Sequence, residues 1–404
     1  MNSSSIDNFT KEYILNRSES LFNNDLKFWH NEMKSKIDGR NVMVIGGAGT
    51  IGSSFIKEIL KFNIAKLVVV DINENGLTEL VRDLRSSSLN MPKNFITYPI
   101  DFGNKVFEKV FKNHGKFEIV ANFAAHKHVR SEKDIFSIQA MIENNLLKAR
   151  GLLDLLVKYP PQHFFCVSTD KAANPVNIMG ASKKLMEELI MAYSSKLNIT
   201  TSRFANVAFS NGSLPLGFIN RLNKNQPWSC PIGIKRFFVS PEESGQLCLI
   251  ACILGKSGEI FFPKLDEKKD MISFDDIAKD LLKYLGLEMD ICESEEEAKR
   301  KSTLLSNGSK KYPVYFFKSD TSGEKTYEEF YTKNEILDLE KFENLGIIKN
   351  SIKRNLEEIE NIYKDLANIF ISDNISKEEI IKAIIKYLPN FQHIETGKHL
   401  DQKM

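Results

Sequence analysis

The chain has 404 residues, 42% hydrophobic and 27% charged, with a net charge of +2 at pH 7. At ~150 residues per domain this length predicts two or three domains around an ample core, and a net charge this small gives no argument for nucleic acid or an anionic membrane as the main partner. The five cysteines, Cys166, Cys230, Cys248, Cys252 and Cys292, form no C-x-x-C pair and suit a reducing compartment, and Cys248 and Cys252, four apart in an apolar run, read as buried small hydrophobes rather than metal ligands.

Residues 1–38 lack the basic start and apolar block of a signal peptide. They read as one or two amphipathic helices whose aromatics (Phe9, Tyr13, Phe22, Phe28, Trp29) pack on the main domain or on a second subunit. From Arg40 the pattern changes. NVMVIGG is an apolar run ending in glycines, SSFIKEILKFN has helical periodicity, and KLVVVDIN is a second apolar run. ITYPIDF is a weaker third strand and FEIVANFAA a fourth. IFSIQAMIENNLLKARGLLDLLVKY reads as one long helix, HFFCVST as a fifth strand, ASKKLMEELIMAYSSKL as a helix and ITTSRFANVAF as a sixth strand. Strands nearly continuous in apolar residues, alternating with helices, predict an α/β fold with a doubly wound parallel sheet.

After Phe209 turns multiply and a smaller domain is expected, with helices at PEESGQLCLIACIL and ISFDDIAKDLLKYLGLE. Residues 292–311 read as a solvated charged segment, and YPVYFFKSDTSGEKTYEEF as a strand, a turn and a helix start. Two helices follow from about Asn350, the second opened by a capping box of Ser376 with Glu379. No apolar run approaches the ~20 residues that span a bilayer, so a soluble, cytoplasmic protein is expected.

The first strand-to-helix turn carries Gly46, Gly49 and Gly52 in the spacing G-x-x-G-x-x-G. In that context the first glycine permits a tight turn, the second lets the backbone approach a pyrophosphate, and the third lets the helix pack close to the strand. Thr50 and Ile51 open the helix whose N-terminus would face the phosphates. Asp71 ends the second strand, where a carboxylate accepts from both adenosine ribose hydroxyls and repels a 2′-phosphate. NAD is therefore favoured over NADP, with Arg82 and Arg85 leaving NADP as the lesser alternative. Asp101, after the third strand, bonds the adenine or is an N-cap or loop aspartate. Ala124, after the fourth, completes the cofactor set. The expected organisation is a helical extension over 1–38, a NAD-binding Rossmann domain over 39–210 with a return near 240–260, a substrate-binding domain over 211–345 and a C-terminal helical extension over 346–404.

GGAGTIG, ANFAAHKHVRSE, STDKAANPVNIMGASKK and RFANVAFSNGSLP resemble, in order and spacing, the extended short-chain dehydrogenase/reductases. Within these the likeness is to the UDP-N-acetylglucosamine 4,6-dehydratases of bacterial polysaccharide and flagellin glycan synthesis, and it covers roughly residues 40–335. STDKA followed by M-G-x-S-K is its most specific part. Most such enzymes have a tyrosine four residues before the lysine, where this chain has Met179. One branch, typified by large membrane-anchored dehydratases, carries methionine there, and likeness to it implies retention of configuration at C5.

The resemblance implies an NAD-dependent lyase that oxidises C4 of the sugar, eliminates water across C5 and C6 and returns hydride to C6. It makes Asp170 the acid for the C6 hydroxyl and Lys171 the base at C5. Lys171 must then shed its proton through burial or a nearby cation, for which Lys183 is the candidate. Lys183, one helical turn after Met179, would bond the nicotinamide ribose. Thr169 would bond the C4 oxygen. Since a thioether cannot take a proton, Asp170 or a water-linked group serves the C4 hydroxyl. Without that context the Asp170–Lys171 pair would read as an exposed turn or local salt bridge. Lys127 is placed near substrate and cofactor, and Glu132 positions the sugar or Lys171. Asn206 lies near the diphosphate, and Arg236 is a diphosphate clamp or an ordinary surface arginine. His128 reads as structural, and His393 and His399 offer no metal-ligand spacing, so no metal is expected. The resemblance also implies a homo-oligomer joined through helices beside the sheet. The alternatives are a nucleotide-sugar 4-epimerase, against which Met179 and the Asp170–Lys171 pair argue, and a non-catalytic NAD-binding scaffold, against which the retention of Asp170, Lys171 and Lys183 argues.

Overall fold

The computed structural model describes residues 3–393 apart from 307, 320–322, 324, 326, 350, 352 and 353. His399 and part of SDTSGEKTYEEF lie outside the described residues. Six strands come first: β1 (Asn41–Ile45), β2 (Lys66–Asp71), β3 (Asn94–Pro99), β4 (Ile119–Asn122), β5 (His163–Val167) and β6 (Ile199–Ser202). The chain then leaves their sheet for β7 (Asn206–Val207), β8 (Trp228–Ile232) and β9 (Lys235–Val239) and returns with β10 (Ile260–Pro263). It leaves again for β11 (Met271–Ser273), β12 (Glu288–Cys292) and β13 (Lys311–Lys318), and closes with β14 (Leu337–Asp338) and β15 (Leu345–Ile348).

The large sheet has the order β14-β15-β10-β6-β5-β4-β1-β2-β3. Every pair from β10 to β3 is parallel, and β15 and β14 add antiparallel at one edge. The strands β14 and β15 therefore lie in the large sheet, although the expected second domain runs over 211–345. Two small sheets, β11-β9-β7 and β12-β13-β8, form the lesser module. The expected sixth strand is broken at Arg203: Ile199–Ser202 stay in the large sheet, while Asn206–Val207 pair with β9 in the small one.

Helices α1 (Ser3–Phe9) and α2 (Asn23–Ile37) precede β1, and α3 (Thr50–Ile59), α4 (Glu74–Arg85) and α5 (Lys105–Asn113) follow β1, β2 and β3. The sequence reading did not single out α4 and α5. Both are largely polar outside a narrow buried stripe, and each is opened by an asparagine cap, Asn73 and Asn104. After β4, α6 (Ile135–Ile142) and α7 (Lys148–Lys158) make the expected long helix, interrupted by a π-helical turn at Glu143–Leu147. After β5 comes α8 (Ile178–Ala192). Then follow α9 (Leu214–Leu222), α10 (Pro241–Leu254), α11 (Phe274–Tyr284), α12 (Glu295–Ser302), α13 (Leu356–Ile371) and α14 (Lys377–Tyr387).

Helices cover both faces of the large sheet, which is why its strands are apolar throughout. One face packs α6, α7 and α8, over which α13 and α14 lay Ile359, Ile362, Leu366, Ile380 and Ile384. The other packs α2, α3, α4 and α10. All five cysteines are buried. No helix among the described residues is long and apolar enough to cross a membrane.

Candidate active site

The chain runs from β1 outward to β2 and β3, then back to β4, β5 and β6 on the other side. The loops after β1 and β4 diverge at this switch point and leave a crevice at the strands' carboxyl ends. Gly46 has φ +76°, and a Cβ there would lie 2.5 Å from the Ala124 amide nitrogen. A Cβ on Gly52 would lie 2.3 Å from the Gly46 carbonyl oxygen, and one on Gly47, outside the expected trio, 2.3 Å from Val69 Cγ1. Gly49 differs: its φ is −74° and its Cβ would meet only the Gly46 oxygen, at 3.4 Å. The protein's own packing does not demand glycine at 49. No side chain caps α3 there, whereas Asn73, Asn104 and Asn177 cap α4, α5 and α8.

Asp71 is locked against this turn, accepting from the Ala48 amide and the Asn73 amide, each at 2.9 Å. Asp101 accepts from the Gly103 amide at 2.8 Å and pairs with Lys148, the arrangement of a loop aspartate. Burial opposes its ionisation, but the Lys148 hydrogen bond and the Gly103 amide outweigh it and hold the carboxyl below its ordinary range.

Continuous with the crevice is a cleft of 330 Å³ between the large sheet and the lesser module. Ile51, Lys127, Thr169, Asp170, Lys171, Met179, Lys183, Asn206 and Arg236 all line it. Gly46, Gly49, Thr50, Gly52, Asp71, Asp101, Ala124 and Glu132 are not on its wall. Thr50 accepts from the Asn211 amide at 3.0 Å, which ties the glycine turn to the loop that follows β7.

At the end of β5 a single 3₁₀ turn, Asp170–Ala172, carries the central pair. Asp170 Oδ1 accepts from Thr169 Oγ1 at 2.9 Å, from the Lys171 amide at 2.9 Å and from Lys171 Nζ at 3.1 Å. This pair is therefore no exposed surface salt bridge: Asp170 is buried and both residues face the cleft. The groups that touch Lys171 are carboxylates, not the Lys183 ammonium expected from the sequence. Glu328 Oε1 lies 3.8 Å from Lys171 Nζ. Lys183 instead reaches back under β5, donating to the Val167 carbonyl at 2.7 Å, and burial pushes its pKa down.

Helix α8 brings Met179 and Lys183 to the cleft. Asn177 caps it by accepting from the Gly180 amide at 2.7 Å, and Glu132 accepts from the Met179 amide at 2.9 Å. Glu132 thus holds the helix start from behind rather than touching the cleft. Its second oxygen faces His393 Nε2 at 3.5 Å. Lys127 stands at the cleft mouth with its pKa lowered by desolvation. The His128 ring lies over Gly212, where a Cβ would meet it at 2.9 Å. Arg236 is buried, not a surface arginine, and donates to the carbonyls of Lys235 and Lys325 at 2.8 and 3.0 Å.

Three groups escaped the sequence reading. Glu328 lies in the quoted stretch TYEEF without a role. It is buried in the cleft, 3.8 Å from Lys171 and 3.9 Å from Arg236. Asn145 clamps the AAHKH loop to α8, accepting from the His126 amide at 2.8 Å and donating to the His126 carbonyl at 2.9 Å and to Ser182 Oγ at 3.1 Å. Beneath the site, Arg203 bridges Glu187 and Glu335 with paired hydrogen bonds of 2.8 to 3.0 Å, and Ser168 donates to Glu187 at 2.6 Å.

A sequence profile described as "Polysaccharide biosynthesis protein" matches residues 42–349. The chain is 29% identical over 353 residues to the capsular polysaccharide biosynthesis protein CapD of Staphylococcus aureus, covering 86% of itself and 53% of that protein, so it spans about half that relative's length. It is 27% identical over 242 residues to a UDP-N-acetylglucosamine 4,6-dehydratase (inverting) of Campylobacter jejuni, covering 57% of itself and 69% of that enzyme. A UDP-glucose 4-epimerase of Rickettsia canadensis matches at 28% over 235 residues, 56% of this chain and 66% of that one. Among solved structures, Pen from Bacillus thuringiensis superposes with a TM-score of 0.64 at 23% identity, over 88% of this chain and 99% of that one.

Proposed function

The chain belongs to the polysaccharide biosynthesis protein family, and on that premise we propose that it is an NAD-dependent nucleotide-sugar 4,6-dehydratase acting on a UDP-N-acetylhexosamine, with UDP-N-acetylglucosamine the first substrate to test. The observation that carries this reading is the Asp170–Lys171 pair, inside one cleft with Lys183 and with Met179 where a tyrosine would serve an epimerase. The dehydratase relative supports the reaction and the epimerase relative marks the alternative.

The residues fit NAD. Gly49 offers open ground over an uncapped helix start, where pyrophosphate oxygens would meet backbone N–H groups. Asp71 presents a fixed carboxylate suited to ribose hydroxyls. Bound there, NAD would supply a reversible hydride acceptor for the sugar's C4 carbon. The protein's own groups do the rest. Thr169 and Asp170 are hydrogen-bonded to each other, so a C4 hydroxyl on Thr169 would have a carboxylate one bond away as proton acceptor. Lys171, once neutral, takes the C5 proton made acidic by the C4 ketone, and Asp170, then protonated, gives its proton to the leaving C6 hydroxyl. Lys183, fixed by the Val167 carbonyl, orients the nicotinamide ribose. Arg236 and Asn206 hold the diphosphate, and Lys127 closes the cleft mouth.

The test is incubation with UDP-N-acetylglucosamine and NAD in deuterated water, followed by NMR and mass spectrometry. A dehydratase releases one water and places deuterium at C5, and the C5 signal distinguishes retention from inversion. A product of unchanged composition with an altered C4 centre establishes the epimerase instead. Lys171→Met should abolish water loss while NAD still binds, and full activity in that variant would overturn its assignment as base.

A further inference from the structure

Among the described residues, Glu328 is the one buried carboxylate on the cleft wall that this mechanism leaves idle. It comes from the segment after β13, far along the chain from the pair it faces. Its Oε1 lies 3.8 Å from Lys171 Nζ and 3.9 Å from Arg236 Nη2, and its Oε2 lies 3.9 Å from Lys325 Nζ. Asp170 is the second anion near it, joined through Lys171. Among the described residues these contacts are ion pairs, longer than the close hydrogen bonds that fix a buried carboxylate in its charged form.

We propose that Glu328 is a counterion shared between Arg236 and Lys171, and that it takes up a proton from solvent when a diphosphate claims Arg236. This rests on the nucleotide-sugar reading, which places the diphosphate at Arg236. The arriving anion removes the guanidinium from Glu328 and adds negative charge beside it, and both changes favour the neutral acid. In the free protein burial already raises the pKa of Glu328, opposed by Lys171, Arg236 and Lys325 and reinforced by the Asp170 charge. Once Glu328 is neutral, Lys171 keeps only Asp170 as an anionic neighbour among the described residues, so the attraction of one of its two carboxylate partners there is gone. Substrate binding would thereby prepare the base. Glu328 is a positioning residue in this scheme, acting through Lys171.

The experiment is calorimetry of UDP-phenol binding to the full chain with NAD in excess, near neutral pH, in two buffers of different ionisation heat. UDP-phenol has no sugar to react and no phosphate proton that titrates in this range. The expected result is a buffer-dependent heat equivalent to uptake of up to one proton per site, with affinity weakening as pH rises. In Glu328→Gln, UDP-phenol should still bind and the uptake should vanish. Binding heat independent of buffer, or an uptake that survives Glu328→Gln unchanged, overturns the inference and leaves the nucleotide-sugar reading standing. Failure of the unmodified chain to bind UDP-phenol overturns both. If Glu328→Gln does not fold, the pH dependence of affinity in the unmodified chain decides alone, and a flat profile is fatal.

Discussion

At the scale of single residues, the glycine turn separates positions the fold needs from those a ligand needs. A Cβ at Gly52 would drive into the Gly46 carbonyl at 2.3 Å, so Gly52→Ala should lower unfolding stability by about 2 kcal/mol or more. A Cβ at Gly49 meets nothing closer than 3.4 Å and its φ suits any residue. Gly49→Ala should therefore change stability by no more than about 0.5 kcal/mol. It should nonetheless weaken NAD binding by about tenfold or more if, as proposed, the pyrophosphate comes close to this turn. Denaturant unfolding and NAD titration of the two variants check this, and equal affinity of Gly49→Ala and the parent would remove the phosphates from this turn. Residues such as Gly49, Asp170, Lys171 and Lys183 were legible in the sequence because each sits in a short contiguous motif. Glu328 was not, because its meaning arises only when the segment after β13 folds back over β5. Glu132 was read as a cleft residue for a similar reason: its partner is a backbone amide of α8, which no side-chain pattern reveals.

At the scale of elements, the strands of the large sheet were legible because burial on both faces leaves continuous apolar runs, whereas the break in the sixth strand was not. Its cause is Arg203, fully buried and held by Glu187 from α8 and Glu335 from the segment following Glu328. This pairing joins the ends of β5 and β6, the active-site helix and the Glu328 segment. Burial works against ionisation of Glu187, but Arg203, helped by Lys184 and Ser168, more than offsets it and holds the carboxyl below its ordinary value of 4.5. A carboxylate whose folded pKa is depressed stabilises the fold above its unfolded pKa and loses that contribution as pH falls through the folded value. Glu187→Gln should thus cost about 2–3 kcal/mol at neutral pH. The gap between variant and parent should close once the pH drops below ~4, toward the depressed folded pKa. Urea midpoints of both proteins across that range test it, and a gap independent of pH would mean that packing, not charge, sets the cost. On the outer side of α8, Arg354 pairs with Glu188 at 2.5 Å, and α13 and α14 cover part of the helical layer that the resemblance assigned to a second copy.

At the scale of the whole molecule, residues 3–38 join the two modules rather than forming a separate appendage. Helix α2 and the segment before it are fixed to the large module: Arg17, ahead of the helix, pairs with Glu243 at 2.7 Å, and buried Asp25 within it accepts from the amides of Glu343 and Asn344 at 2.7 and 2.9 Å. Helix α1 belongs to the lesser module. Phe9 is fully buried there, 5.4 Å from Tyr284 and 6.1 Å from Phe209 between ring centres. Phe209 has φ +49°, a left-handed conformation that an L-residue other than glycine holds only at a cost of ~1–2 kcal/mol, so the surrounding packing must impose it. It leads directly into Ser210, Gly212 and Ser213, which line the cleft. Phe9 thus packs, from outside the cleft, against the residue that opens this cleft-lining loop. Phe9→Ala should cost about 3–4 kcal/mol of stability, and the released loop should raise KM for the nucleotide sugar several-fold. The NAD crevice, built on β1, β2 and β4, should keep its affinity. Steady-state kinetics beside NAD titration make the comparison: a parallel loss of both would mean that Phe9 supports the molecule as a whole and not the loop.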